Sequence, residues 1–114
     1  MSPADCIFCS IASGKIKSEA VFQDRDFVAF KDVNPQAPVH ILVIPRAHIP
    51  SIAEVNSADI PGRLIVTATK IARQIGVDKT GYRLAINYGE DAHLVVPHLH
   101  LHIVGGRKLD DMLG

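Results

Sequence analysis

The chain has 114 residues and a mass of 12.4 kDa, which predicts one domain over residues 1–114, because a second hydrophobic core would not fit. Hydrophobic residues make up 47% of the chain and charged residues 21%. This composition excludes disorder of the whole chain. Twelve basic residues balance twelve acidic ones, so the broad positive field that binds nucleic acids or anionic membranes is absent. A small ligand bound at a local site is therefore favoured.

The N-terminal residues Met1–Asp5 contain no basic segment followed by an apolar one. No apolar run approaches the ~18 residues of a membrane span. These features predict a cytoplasmic protein with neither a membrane nor a nucleic-acid partner. Cys6 and Cys9 lie three residues apart, and a disulfide between them would close too small a loop to add stability. A metal-binding or redox role suits the pair better.

The first predicted element is a short helix that Asp5 caps and that runs through about Ala12, before Gly14. It places the two cysteines on one face, at i and i+3. Five segments rich in apolar and β-branched residues then predict strands. They are Ala20–Gln23, Phe27–Lys31, Val39–Pro45, Tyr82–Asn87 and His98–Val104.

Between Ser57 and Ile75 the apolar residues recur at helical spacing instead, and Gly76 follows as a stop. This segment predicts the one long helix. The predicted fold class is α+β: an antiparallel sheet of about five strands, with the long helix on one face and the short N-terminal helix.

The most informative segment contains His98, His100 and His102, which are three of the six histidines in the chain. Side chains of a strand alternate between its faces, so the three imidazoles would line one side, each ~6.6 Å from the next. Histidines held in register serve proton transfer, nucleophilic attack or metal ligation. The alternatives are a coincidental histidine-rich strand and a pure metal site.

Several segments together resemble the histidine triad family of nucleotide hydrolases and transferases, and specifically its Hint-like, purine nucleoside phosphoramidase-like branch. The resemblance extends from about Cys6 to Arg107. It rests on His98–Val104 and on Cys6–Cys9, Ala29–Asp32, Asn34–Pro38, His40–Pro45, Gly81–Arg83 and Gly105–Arg107. It implies a histidine-triad fold and hydrolysis of purine nucleoside phosphoramidates or related adenylated compounds.

The resemblance also implies catalytic roles for three histidines. His100 would attack the α-phosphorus and form a covalent nucleotidyl-imidazole, which water then hydrolyses. A neutral imidazole is a competent nucleophile near pH 7. His102 would hydrogen-bond a phosphate oxygen or the leaving amine, and His40 would complete the phosphate pocket. From the residues alone, an ordinary histidine at the end of a strand is the favoured interpretation of His40.

Six further positions match residues of the family that bind substrate. Asp32 would accept hydrogen bonds from the ribose hydroxyls, and Asn87 would contact the phosphate. The base pocket would be lined by Phe8, Ile11, Phe30 and Val33. The alternative roles are turn residues for Asp32 and Asn87, and ordinary core residues for the apolar four.

In zinc-containing members of the family the metal is bound by positions that match Cys6, Cys9, His48 and His98. The resemblance thus implies one structural zinc per chain in a closed site of two cysteines and two histidines. It also implies a homodimer. The alternative for the four residues is a pair of reduced, buried cysteines and two unrelated histidines.

The chain departs from the family just before the triad, where most relatives carry Gly-Gln-Ser/Thr-Val and this sequence has His93–Pro97. Side-chain donors for the phosphate and leaving group are lost at Leu94 and Val95. A loop histidine is usually solvated, so His93 is not included in the predicted site. The C-terminus departs as well, because relatives often end in Trp-Pro-Pro-Gly and this chain ends in Asp110–Gly114.

Three alternative functions stay open at this point. A dinucleotide polyphosphate hydrolase or nucleotidyl transferase differs from a nucleoside phosphoramidate hydrolase only in the leaving group. A nucleotide-binding regulatory module with little turnover would follow from the lost donors. A metal-handling protein would use the histidines as additional ligands.

Overall fold

The computed structural model describes residues 5–113 of the chain. Five strands form one antiparallel sheet, and two α-helices pack on its opposite faces. The helices are α1 (Ile7–Ala12) and α2 (Asp59–Ile75), and the strands are β1 (Ala20–Gln23), β2 (Phe27–Lys31), β3 (Val39–Pro45), β4 (Tyr82–Ala85) and β5 (Leu101–Gly105). Short 3-10 turns lie at Ile52–Glu54, Val77–Lys79 and Glu90–Ala92. The predicted α+β class, with about five strands, one long helix and a short N-terminal helix, is confirmed.

The strand order is β1-β2-β3-β5-β4, and every neighbouring pair is antiparallel. β3 lies at the centre, between β2 and β5. Its register pairs Leu42 with His102 and His40 with Val104. Residues at alternate strand positions share a face, so His40, Leu42 and His102 lie on the same face of the sheet.

The two faces of the sheet have different roles. One face packs against α2, whose buried residues Leu64, Ala68, Ile71 and Ala72 join a core with Phe27, Ala29, Ile41, Val43, Leu99, Leu101 and Ile103. The opposite face packs against the α1 segment through Cys6, Phe8, Val28, Phe30, Leu42 and Ile44. The triad histidines alternate with core leucines, so burial of Leu99, Leu101 and Ile103 under α2 directs His100 and His102 to the α1 face.

The last strand is shorter than predicted, because β5 begins at Leu101 and His98 precedes it. Continuing the β3–β5 register would place Leu99 opposite Pro45, and proline has no N–H to donate. The Leu99 N–H donates instead to the Ile49 carbonyl, at 2.6 Å. The predicted even row of three imidazoles is therefore wrong at His98.

Three other element boundaries differ from the predictions. β4 ends at Ala85 and not at Asn87, whose side-chain amide instead donates to a loop carbonyl. α2 begins at Asp59, and Ser57 lies outside it. The residue that caps α1 is Cys6 and not Asp5: the Cys6 Sγ accepts the Cys9 N–H at 3.4 Å. This hydrogen bond holds the sulfur of Cys6 close to the backbone of Cys9.

The long helix α2 ends where Gly76 adopts a left-handed conformation, with φ of 87°, as the sequence predicts. Within residues 5–113, no helix has both the length and the apolar character that crossing a membrane requires.

Candidate active site

A cavity of about 850 Å³ opens on the α1 face of the sheet. It lies between α1, the C-terminal end of β2, the start of β3 and the loop that follows β4. All nine residues that the sequence predicts as catalytic or substrate-binding line it: Phe8, Ile11, Phe30, Asp32, Val33, His40, Asn87, His100 and His102. The fold thus brings together residues that are up to 94 positions apart in the chain.

His100 has a defined tautomer. Its Nδ1 lies 2.7 Å from the carbonyl oxygen of His98, and a carbonyl only accepts, so Nδ1 carries the hydrogen and Nε2 carries the lone pair. The ring packs edge-on against Phe8, with centroids 5.1 Å apart. Burial lowers the pKa of His100, although the bond to the His98 carbonyl and the nearby Asp32 carboxylate oppose this shift. The imidazole is therefore neutral near pH 7.

His40 and His102 form a hydrogen bond whose direction the backbone determines. The N–H of Gln36 donates to Nδ1 of His40 at 3.0 Å, so Nε2 of His40 carries the hydrogen. That Nε2 lies 2.9 Å from Nδ1 of His102 and 3.4 Å from Oδ2 of Asp32. His102 therefore accepts at Nδ1 and carries its own hydrogen on Nε2. Sequence reasoning misses the role of Gln36, because this residue acts through its backbone N–H and no side-chain pattern signals it.

Asp32 is held at the end of β2 by its neighbours. Its Oδ1 accepts the N–H of Asn34 at 2.8 Å, and its own N–H donates to the carbonyl of His40 at 3.0 Å. Its Oδ2 faces the imidazole of His40. Oδ1 is thus bonded within the turn, whereas Oδ2 lies beside His40 and faces the cavity.

The loop after β4 forms one wall of the cavity and adds a polar residue, His93, to the predicted Asn87. The Nδ2 of Asn87 donates to the carbonyl of Ala92, so this amide stabilises the loop as well as lining the cavity. His93, which is not among the predicted site residues, also lines the cavity. Val95 lines it too and is 83% exposed.

The second predicted group is assembled beside the first. Within residues 5–113, the side chains of Cys6, Cys9, His48 and His98 place their sulfur and nitrogen atoms within 4.8 Å of one another, an arrangement that can hold a metal ion. Nδ1 of His98 is 3.3 Å from Sγ of Cys6 and 3.5 Å from Sγ of Cys9, and Nδ1 of His48 is 3.3 Å from Sγ of Cys9.

The donor set fits zinc in both geometry and chemistry. Zn–S bonds of ~2.3 Å and Zn–N bonds of ~2.0 Å at tetrahedral angles separate sulfur from nitrogen by about 3.5 Å, close to the separations found. The Nε2 of His98 donates to the carbonyl of Pro45 at 2.8 Å, which leaves Nδ1 as a ligand. Burial and the neighbouring Cys6 raise the pKa of Cys9 to about 11, so a bound cation is needed to form its thiolate.

A third group, Asp32, His40 and His102, also has its donor atoms within reach of one ion. The Gln36 N–H occupies Nδ1 of His40, so the nitrogen that faces the group carries a hydrogen. A nitrogen that carries its hydrogen has no lone pair for a metal. The hydrogen-bonded pair is therefore the better description of this group.

The pKa of His102 generates a prediction about stability. Burial, followed by the facing imidazoles of His100 and His40, lowers it from 6.5 to about 4, and the Asp32 carboxylate opposes the shift. Between these values the unfolded chain binds a proton that the folded protein does not, so the free energy of unfolding decreases as pH falls from 6.5 to 4. We expect His102→Asn to lose less stability over this interval, as measured by urea unfolding at pH 7 and pH 4.5. Equal losses in the two proteins would contradict the prediction.

The chain is similar to known proteins in both sequence and structure. The HIT domain model matches residues 13–109. The purine nucleoside phosphoramidase of Escherichia coli (strain K12) is 42% identical over 111 residues, which are 96% of this chain and 93% of that protein. A histidine triad protein from Clostridium difficile has a TM-score of 0.94 at 44% identity, with 98% of this chain and 99% of that one covered. A HIT family hydrolase from Legionella pneumophila Philadelphia 1 has a TM-score of 0.92 at 40% identity, with 96% and 100% covered. The chain therefore belongs to the histidine triad family, whose HIT domain it carries.

Proposed function

We propose that this protein is a cytoplasmic, zinc-containing nucleotide hydrolase of the Hint-like branch, with its whole activity in one domain. It cleaves the phosphorus–nitrogen bond of purine nucleoside phosphoramidates or related adenylated compounds. The observation that carries the proposal is the tautomer of His100: the His98 carbonyl holds Nδ1–H, so the neutral Nε2 is the nucleophile in a cavity large enough for a nucleotide. The phosphoramidase name of the Escherichia coli relative supports the same bond.

In the first step Nε2 of His100 attacks the α-phosphorus, and a nitrogen–phosphorus bond to the protein forms as the bond to the leaving nitrogen breaks. The leaving nitrogen takes up one proton from solvent and departs as an amine. The Nε2–H of His102 donates to a phosphoryl oxygen, where negative charge is concentrated. In the second step water attacks the phosphorus, the bond to His100 breaks and a proton returns to solvent. The sum consumes one water molecule and releases AMP from an adenosine substrate.

The remaining cavity residues bind the nucleoside. Phe8, Ile11, Phe30 and Val33 contact the base, for which their apolar surfaces are suited. Oδ2 of Asp32 accepts a ribose hydroxyl, since Oδ1 is already bonded to the N–H of Asn34. Asn87 contributes from the opposite wall, where its remaining polar atoms reach the phosphate.

A second candidate function is a nucleotide-binding regulatory module with little turnover. The observation that favours it is the apolar Val95, which lines the cavity in the segment where relatives carry polar donors. Losing a donor that acts in the transition state lowers a rate by ~10²-fold or more. A dinucleotide polyphosphate hydrolase or nucleotidyl transferase is a variant of the first proposal with a different leaving group.

His100→Ala tests the nucleophile directly. Wild type incubated with an adenosine 5′-phosphoramidate should release AMP, and the variant should be slower by ~10³-fold or more, because removing a nucleophile abolishes the covalent route. AMP is quantified over time by chromatography, and thermal unfolding with and without AMP verifies that the variant folds and binds nucleotide. If both proteins bind AMP and neither releases it from the substrate, the regulatory module becomes the better proposal.

The zinc would be structural, since four protein ligands leave no open position for substrate. When bound, it supplies a fixed positive centre that ionises the two thiols. His98 would be held by the metal at Nδ1 and by Pro45 at Nε2, so its carbonyl oxygen would be fixed where it meets His100. The buried Nε2 of His48 has no hydrogen-bond partner among the described residues. No donor therefore opposes the tautomer that carries its hydrogen on Nε2 and leaves Nδ1 to bind the metal.

Metal content tests this part of the proposal. We expect about one zinc per chain by elemental analysis of the purified protein. Cys9→Ser and His48→Asn should each lose most of the metal and lower the melting temperature, whereas His102→Asn should keep it, because His102 lies outside the cluster. An unchanged metal content in Cys9→Ser would refute the site, and two or more zinc ions per wild-type chain would favour a metal-handling protein.

We propose that a second copy of the chain binds the exposed side of α2 and forms a homodimer. Ile65 and Val66 are apolar and solvent-exposed on this helix, with 45% and 63% of their surfaces accessible. The outer edge of β4 pairs with no strand within residues 5–113. An unpaired strand edge and an exposed apolar stretch of helix each suit a two-fold pairing with a second copy.

A charge on the exposed face of α2 tests the dimer. We expect wild type to have about twice the chain mass in light scattering coupled to size-exclusion chromatography, and Val66→Glu to shift toward the monomer, because the dimer would bury this charge. Lys15→Glu introduces the same acidic side chain in the exposed turn after α1, on the face of the sheet opposite α2, and should remain dimeric. A monomeric wild type would refute the proposal.

A further inference from the structure

His93 is the polar side chain in a stretch of cavity wall that is otherwise apolar. The segment His93–Pro97 contributes three residues to the lining, and the other two are Val95 and Val96. The imidazole of His93 makes no hydrogen bond to any residue between 5 and 113 and is exposed. A neutral imidazole always offers one N–H donor and one acceptor. This ring is therefore available to a molecule that enters the cavity.

The backbone of His93 is held in a conformation that side chains disfavour. Its φ is 59° and ψ is 39°, and it is the one residue other than glycine with positive φ in the described part of the chain. Glycine adopts this region freely, whereas a histidine there is strained. Such strain persists only where the surroundings impose it, and it is concentrated at functional sites.

The surrounding loop supplies those constraints. The N–H of His93 donates to the carbonyl of Glu90 at 3.0 Å, and the N–H of Leu94 donates to the carbonyl of Gly89 at 3.0 Å. The side chain of Asn87 donates to the carbonyl of Ala92, directly before His93. These bonds fix the position from which the imidazole reaches the cavity that it shares with His100 and His102.

The charges of the loop indicate which groups the imidazole can bind. Residues 84–106 contain no lysine or arginine, and the turn before His93 carries the exposed Glu90 and Asp91. The loop therefore offers no cation to an anionic leaving group, and its acidic turn, which does not line the cavity, adds only repulsion. The N–H of His93 therefore suits a neutral acceptor, and Val95 and Val96 beside it suit an apolar substituent.

We infer that His93 is a specificity-determining residue that hydrogen-bonds a carbonyl oxygen on the leaving amine. The favoured substrates are then nucleoside phosphoramidates whose amine carries a neutral carbonyl next to an apolar group, as in the amide of a small α-amino acid. This inference rests on the proposed function, because the leaving group is defined by cleavage of the phosphorus–nitrogen bond. His93 contacts the leaving group, while the bond-making steps belong to His100.

Two substrates that differ only in a carboxamide group, which one has and the other replaces by an isopropyl group, test the role. Both are adenosine 5′-phosphoramidates: one has alaninamide as the leaving amine, and the other has 3-methylbutan-2-amine, its hydrocarbon analogue. The readout is the ratio of their kcat/KM values for AMP release. The difference in intrinsic reactivity of the two compounds cancels when ratios are compared between variants.

We expect His93→Gly to lower this ratio about tenfold, the effect of losing one hydrogen bond to substrate. Its melting temperature should not fall, since glycine accepts the left-handed backbone. His93→Asn tolerates the same backbone and keeps a donor, so it should retain part of the preference. Asp91→Asn changes the charge of the same turn outside the cavity and should leave the ratio unchanged.

Three results would overturn the inference. A ratio in His93→Gly within twofold of the wild-type ratio removes the role of His93 alone. An equal effect of Asp91→Asn assigns the preference to loop charge instead of to the imidazole. Release of AMP from neither compound by wild type overturns the proposed function, and the role of His93 with it.

Discussion

The arrangement of this protein depends on His98, a fully buried residue that connects two groups of side chains. Its Nε2 donates to the carbonyl of Pro45, its Nδ1 faces the sulfur atoms of Cys6 and Cys9, and its carbonyl accepts Nδ1–H of His100. One residue thus ties the end of β3 and the start of α1 to the imidazole in the cavity. A displacement of His98 would change the tautomer or the direction of His100, so the cysteine–histidine cluster and the cavity are mechanically one unit.

The position of Pro45 in the sheet allows His98 to connect the cysteine–histidine cluster to the cavity. Pro45 ends β3 because it cannot donate to a partner strand, and the chain opposite it leaves the sheet at His98–His100. The carbonyl of Pro45 is then free to accept from His98. If β5 began at His98, a regular strand would direct its imidazole toward the same side as His100. The irregular start is what gives the two histidines different surroundings.

Much of this was predictable, and the failures have physical causes. The apolar periods predicted the five strands and α2, and the alternation of leucine and histidine predicted which side chains share a face. The nine predicted cavity residues and the four of the cluster followed from the family resemblance, because only a resemblance relates Cys6 to His98 across 92 positions. The start of β5 was missed because it depends on the pairing of Leu99 with Ile49. The role of Gln36 and the conformation of His93 could not be foreseen, since one acts through its backbone and the other is set by loop bonds.

The tautomers of the cavity histidines follow from backbone groups and not from other side chains. The Gln36 N–H determines the tautomer of His40, which determines that of His102, while the His98 carbonyl determines that of His100. Each assignment requires the neutral form, and burial lowers the pKa of both His100 and His102 in the same direction. Among these three histidines, the groups left for a substrate are therefore the lone pair on Nε2 of His100 and the N–H on Nε2 of His102. A phosphoryl group requires both a lone pair and an N–H donor, because its phosphorus accepts electrons while its oxygens accept hydrogen bonds.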